Sequence, residues 1–149
     1  MQLTIFSDYA LRVLVYLALQ KDRLATIAEI AESYKISENH LMKVVHHLAH
    51  EGYVETLRGK GGGLRLARKP EEIGIGQVIR GTEGGGDLLD CIGAKDVICC
   101  IQPSCRLMAI LSEASAGMYA VLEKYTLADL LKPKGKLERL LDTHAERGE

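Results

Sequence analysis

Residues 26 to 52 constrain the fold most, because they set two freshly capped helices only a few residues apart. Thr26-Ile-Ala-Glu29 reads as a capping box, in which the threonine hydroxyl and the glutamate carboxylate each satisfy a helix amide that would otherwise lack a partner. It predicts a short helix to about Ser33. Tyr34-Lys35-Ile36 follow as a turn, and Ser37 offers an N-cap to a second helix running to about Glu51. Gly52 closes that helix at the position where a left-handed residue is favoured. Two short helices joined by a tight turn form a helix-turn-helix.

After Gly52 the hydrophobic period changes from 3.6 to 2. Tyr53-Val54-Glu55-Thr56-Leu57 and Leu64-Arg65-Leu66-Ala67 alternate like strands, around the tip Arg58-Gly59-Lys60-Gly61-Gly62-Gly63. A hairpin set directly behind a helix-turn-helix is a wing. Ahead of both, Ser7 can cap a helix whose first turn holds Asp8. Its run from Tyr9 to Gln20 is apolar almost all round, so most of its faces are buried. The expected fold class is therefore mostly α with a small β-hairpin wing. A winged helix-turn-helix DNA-binding domain would occupy residues 1–83 and be followed by a long C-terminal dimerisation helix.

Bulk charge gives no argument for nucleic acid, since the formal net charge is -1 and the pI about 6.5. Local charge does. Between Lys35 and Lys69, seven Lys and Arg residues face three carboxylates. The exposed face of the second helix would carry Glu38, Asn39, His40, Lys43, His46 and His47, with Ser37 at its start, all able to meet phosphates or base edges. Leu41, Val44, Val45 and Leu48 would face inward. On the wing, Arg58, Lys60 and Arg65 supply charge, while Gly59, Gly61 and Gly62 let the backbone come close to a groove. These glycines lead into a strand, not into a helix through Gly-Lys-Ser/Thr, which argues against a nucleotide-binding loop. His46 and His50 have the i, i+4 spacing of a zinc pair, yet no HExxH signature accompanies them, so solvated, DNA-facing or capping roles are expected.

All four cysteines fall in CIGAKDVICCIQPSC, residues 91–105. Thiolates grouped on a loop select soft partners: an iron-sulfur cluster, zinc, or one another. A short helix from Ile75 to Glu83 and the triple glycine 84–86 lead into this loop, so residues 84–105 read as a hinge and a cysteine-rich loop able to hold such a partner. The segment Arg106 to Tyr125 then carries Leu107, Ile110, Leu111, Ala114, Met118, Val121 and Leu122 on one stripe. Little chain remains to cover it, so a second copy is the simplest partner. A two-fold dimer also suits a palindromic operator. Residues 106–131 are read as this dimerisation helix and a short terminal helix capped by Thr126. Residues 132–149 are expected to be a charged, frayed tail with at most a turn at Leu137 to Leu141. No nucleophile-base pair, carboxylate dyad or cofactor fingerprint suggests an enzyme. No run is apolar for long enough to span a membrane and no basic leader is present, so the chain is expected in the cytoplasm.

The opening LTIFSDYALRVLVYLA, the core TIAEIAESYKISENHLMKVVHHLAHEGYVETLRGKGGGLRLA and the CCIQPSC loop resemble the NsrR-like repressors. These belong, with IscR, to a superfamily of winged-helix iron-sulfur regulators. The resemblance covers residues 1 to about 131. It implies a homodimer that binds double-stranded operator DNA while holding a [4Fe-4S] cluster, or alternatively a [2Fe-2S] cluster, and releases it when nitric oxide attacks the iron. The family's loop pattern, Cys then Cys-Pro-Ile-x-Pro-x-Cys, implies Cys91, Cys99 and Cys105 as ligands. Cys100 stands where the family has proline, which leaves the choice between Cys99 and Cys100 open. IscR-like proteins place a histidine ligand where this chain has Met108. NsrR-like members take an aspartate from the first helix of the partner subunit, which matches Asp8. The same carboxylate also suits plain stabilisation of a helix N-terminus, and the sequence supports both roles equally. A thiol-redox or zinc-dependent regulator on the same frame, or one reporting iron status, is the alternative.

Overall fold

The computed structural model describes residues 2–20, 23–84, 88 and 99–146, apart from the side chains of 143–146. Helix α1 (Ile5–Leu19) starts ahead of the expected Ser7 cap. Thr4 holds the N-cap position, and its hydroxyl accepts the Ser7 amide at 3.2 Å. Ser7 lies fully buried in the first turn, where its hydroxyl meets the Thr82 hydroxyl at 2.7 Å and donates to the Glu83 carboxylate. Glu83 also accepts from the Thr4 amide at 2.8 Å and the Thr4 hydroxyl at 2.9 Å. A carboxylate distant in sequence thus secures this helix end. Partial burial pushes the Glu83 carboxyl up, but the donors from Ser7 and Thr4 outweigh it and hold it below the usual glutamate range.

The capping box ahead of α2 (Ile27–Tyr34) forms as the sequence predicts: the Thr26 amide donates to Glu29 at 2.6 Å and the Glu29 amide to the Thr26 hydroxyl at 3.2 Å. Lys35 turns the chain in a left-handed conformation, φ 54°, and the Ile36 amide closes back on the Ala31 carbonyl. Ser37 occupies the N-cap position of α3 (Glu38–His50), but its hydroxyl makes no capping bond. Gly52, at φ +74°, ends that helix as expected.

Strands β1 (Val54–Leu57) and β2 (Gly63–Leu66) pair antiparallel, with Val54 opposite Leu66 and Leu57 opposite Gly63. Leu64 also exchanges two backbone bonds with Ala25, at 2.7 and 3.0 Å, which ties the wing to the start of α2. Inside, Val13 and Leu14 of α1, Ile30 of α2, and Leu41 and Leu48 of α3 are completely buried. Each such side chain stabilises the fold by about 1.5–3 kcal/mol before entropy is counted.

Helix α4 (Ile75–Thr82) packs its Ile75 and Ile79 against Tyr119 of α5 (Arg106–Leu122). A Cβ on Gly76 would stand 2.7 Å from Glu123 Cγ and 3.0 Å from its amide nitrogen, so the contact needs glycine there. The Arg80 guanidinium covers the Tyr119 ring at 3.9 Å and pairs with Glu123 at 3.0 Å. The short helix α6 (Leu127–Leu130), capped by Thr126 and Asp129, returns the chain beneath α1 and buries Leu127 completely.

Two expectations need correction. The apolar stripe of α5 is split: Met118 and Leu122 pack inward beside Tyr119, whereas Leu107, Ile110 and Val121 are more than half exposed. Residues expected to be a frayed tail form a further helix, α7 (Lys134–Glu146), which packs on α2 and sends Leu141 against the main core. A Lys134–Glu138 pair at i, i+4 supports it from outside.

Candidate metal centre and nucleic-acid interface

The α3 face that packs inward is the expected one. Leu41, Val44, Val45 and Leu48 are buried, leaving Glu38, Asn39, His40, Lys43 and His46 exposed along the opposite side. His47 departs from the expected face. It is half-buried, with its ring edge-on to Phe6 of α1 at 5.4 Å. His40 lies 6.4 Å from the Tyr9 ring, so two ring pairs link the first turns of α1 to α3. Because the Ser37 hydroxyl has no capping bond, it stands exposed at a helix N-terminus, where amides favour an anion.

On the wing, Arg58, Gly59, Lys60 and Gly61 are exposed, and Gly59 and Gly61 have positive φ. Arg58 and Lys60 form no ion pair among the described residues, which leaves both charges available. Arg65 differs: it sits across from Glu55 in the hairpin register and pairs with it at 2.8 Å. This pair is exposed and screened, so it holds the strands together only weakly.

The cysteine loop ends in a single 3-10 turn, Gln102–Ser104, which delivers Cys105 to the N-cap position of α5. There the Cys105 sulfur accepts the Met108 amide at 3.5 Å, one of the amides that a helix N-terminus leaves without an intrahelical partner. Cys99 and Cys105 are half-buried, Cys100 is exposed, and all three are free thiols. Cys91 lies outside the described residues. Among the described residues, no three His, Cys, Asp or Glu side chains of one chain converge on a common point. The donor chemistry fits a soft metal centre: several free thiols, one already receiving a helix amide.

Asp8 sits in the first turn of α1, about half exposed, with Arg12 Nε donating to its carboxylate at 2.9 Å. The Arg12 guanidinium also lies 5.5 Å from the Tyr34 ring centre. Sequence reasoning passed over Arg12, although its i, i+4 spacing from Asp8 was a usable signal. It also passed over Glu83, whose role depends on a contact with no local signature.

With this geometry in view, residues 3–133 match Rrf2, described as an iron-dependent transcriptional regulator. The chain belongs to the Rrf2 family. Among curated Rrf2-like relatives, it is 49% identical to the HTH-type transcriptional regulator NsrR of Bacillus subtilis, covering 95% of this chain and 97% of that protein. It is 46% identical to the NsrR of Shouchella clausii, covering 95% of each. In three dimensions it resembles CymR, the global cysteine regulator of B. subtilis, with a TM-score of 0.68 and 25% identity over 89% of this chain and 97% of that one. It also shares its fold with T. potens IscR, with a TM-score of 0.67 and 24% identity over 90% of this chain and 88% of that one. This Rrf2 chain is accordingly a transcriptional regulator with a winged helix-turn-helix, and its named relatives are regulators, not enzymes. Among the described residues, no helix is long and apolar enough to cross a membrane.

Proposed function

We propose that this Rrf2 regulator is a cytoplasmic homodimeric repressor that holds an iron-sulfur cluster, of the [4Fe-4S] type, and releases operator DNA in response to nitric oxide. The observation that carries the reading is Cys105: it is at once a free thiol receiving a helix amide and the N-cap of α5, whose outer residues Leu107, Ile110 and Val121 are exposed. The metal-binding loop therefore runs directly into the helix best suited to pair with a second copy. The NsrR name carried by relatives of high identity supports the same reading.

Residues 1–83 would bind DNA, 84–105 hold the cluster and 106–131 pair the subunits. Cys91, Cys99 and Cys105 of one subunit would bind the metal together with Asp8 of the partner subunit, and Cys100 could replace Cys99. Such a cluster would supply iron that a small diatomic molecule can attack.

The chain's own residues do the rest. Arg12 fixes the Asp8 carboxylate, and Phe6 and Tyr9 press the same helical turns against His47 and His40. Movement of the first turn of α1 is thereby passed to α3. Ser37, Glu38, Asn39, His40, Lys43, His46 and the exposed edge of His47 would meet the major groove. Arg58, Gly59, Lys60, Gly61, Gly62 and Arg65 would meet the flanking backbone. A small shift of two paired recognition helices costs both half-sites of a palindrome.

The alternative, a thiol-redox or zinc regulator on the same frame, draws on the exposed Cys100 beside Cys99. Iron, sulfide and zinc analysis of protein purified without oxygen separates the two. The proposal predicts bound iron and sulfide that are lost in Cys91→Ala, in Cys105→Ala and in the double variant Cys99→Ala with Cys100→Ala. Colourless, zinc-loaded or metal-free wild-type protein would refute it.

A further inference from the structure

A small apolar pocket opens between the Asp8-bearing turn of α1 and the recognition helix α3. Its volume is about 250 Å³, and it is lined by Ile5, Phe6 and Tyr9 of α1 and by His40, Lys43 and Val44 of α3. Ile5 is 66% exposed on its rim, although burying an isoleucine is favourable by about 1.5–3 kcal/mol. Ile5, Asp8, Tyr9 and Arg12 follow the i, i+3, i+4, i+7 spacing, so the pocket rim and Asp8 share one helix face.

The cysteine loop carries the matching feature. Ile101, 61% exposed, stands two residues after Cys99 and heads a run of exposed apolar side chains that continues through Leu107 and Ile110 onto α5. Two residues of chain reach at most about 7 Å. Side chains one turn apart on a helix are about 5–6 Å from each other. If the thiolates of one subunit and Asp8 of the partner subunit meet at one metal centre, Ile101 and the pocket are therefore brought to the same place.

The geometry points to Ile101 as a knob that docks into the Ile5–Tyr9–Val44 pocket of the second copy. This inference rests on the shared-cluster reading and adds a packing contact that couples the loop to the recognition helix directly. The pocket wall includes Val44 and the apolar sides of His40 and Lys43, so an isoleucine seated there holds α3 as well as α1 and leaves their polar ends to meet the groove. Loss of the loop's fixed shape withdraws the knob and leaves α3 without that support.

The test uses full-length holoprotein kept free of oxygen. A photoreactive benzoyl-phenylalanine at position 101, in dimers mixed from isotopically light and heavy chains, should crosslink between chains to residues 5–9 or 40–44. Ile101→Ala and Ile5→Ala should each keep the iron content and weaken operator binding by about tenfold, from the methylenes removed from the contact. The double variant should be no weaker than the weaker of the single variants, because both remove one contact. Crosslinks confined to other segments, or additive losses, would overturn the inference. So would an iron-loaded Ile101→Ala that binds the operator like wild type while Ile5→Ala does not, which would show the pocket to face DNA. These outcomes leave the cluster reading standing, whereas iron-free wild-type protein removes both.

Discussion

A Cβ added to Gly62 would stand 2.2 Å from the Leu57 carbonyl oxygen and 2.9 Å from that of Gly59. The Gly59 oxygen cannot yield easily, because it accepts the Gly62 amide at 3.0 Å within the turn that shapes the wing. Gly62→Ala should distort the tip, with a local cost of about 1–3 kcal/mol. It should lower the melting temperature by several degrees while the main core stays folded, and operator affinity should fall about tenfold in a gel-shift titration, the scale of one good groove contact. Glu83 is a second residue with a measurable signature. Its folded carboxyl is held below the ordinary range, so its stabilisation is complete above the ordinary glutamate value of about 4.3 and is lost as pH falls through the lower folded value. Glu83→Gln should be less stable than wild type at neutral pH, and the gap should narrow on acidification. Urea unfolding at several pH values reads this directly. Glu29 and Asp129, also lowered, contribute to acid sensitivity in both proteins and cancel in the difference.

At the scale of elements, α7 covers α2, the first helix of the helix-turn-helix, and contributes Leu141 to the main core cluster. Removing residues 134–149 should lower the melting temperature by several degrees, consistent with a loss of about 1–2 kcal/mol for a chain of this size. An unchanged melting temperature would show that α7 adds nothing. Helix α5 presents the opposite case, an apolar face without cover. Ile110→Asp should convert dimer to monomer in sedimentation velocity while the winged helix stays folded. Elements with local signals were legible in the sequence: the Thr26–Glu29 box, the left-handed Gly52 and the alternating strands all lie where their residues place them. The start of α1 was not legible, because Thr4 and Ser7 are both able caps and the choice is made by Glu83, far away in the chain. Helix α7 was not legible either. Its Leu137, Leu140 and Leu141 make too sparse a stripe among charges, and the surface they need belongs to α2. The half-burial of His47 has the same cause, a Phe6 ring supplied by another helix. At the candidate site, the sequence put Cys105 at the end of the thiol-rich segment but could not show it serving as a helix cap.

For the whole molecule, the winged helix supplies DNA recognition, and in the proposed dimer the thiol-rich loop, which leads into the exposed face of α5, would be the place where a signal acts between two copies. In the proposed mechanism these parts are coupled through metal held by the cysteines. Operator binding, cluster absorbance and iron content followed together during stepwise addition of nitric oxide, without oxygen, test that coupling most directly. The account predicts that operator affinity falls in step with loss of the original cluster absorbance, and that Cys105→Ala begins in the weakly bound state. Operator affinity that stays constant while the cluster absorbance disappears would contradict it.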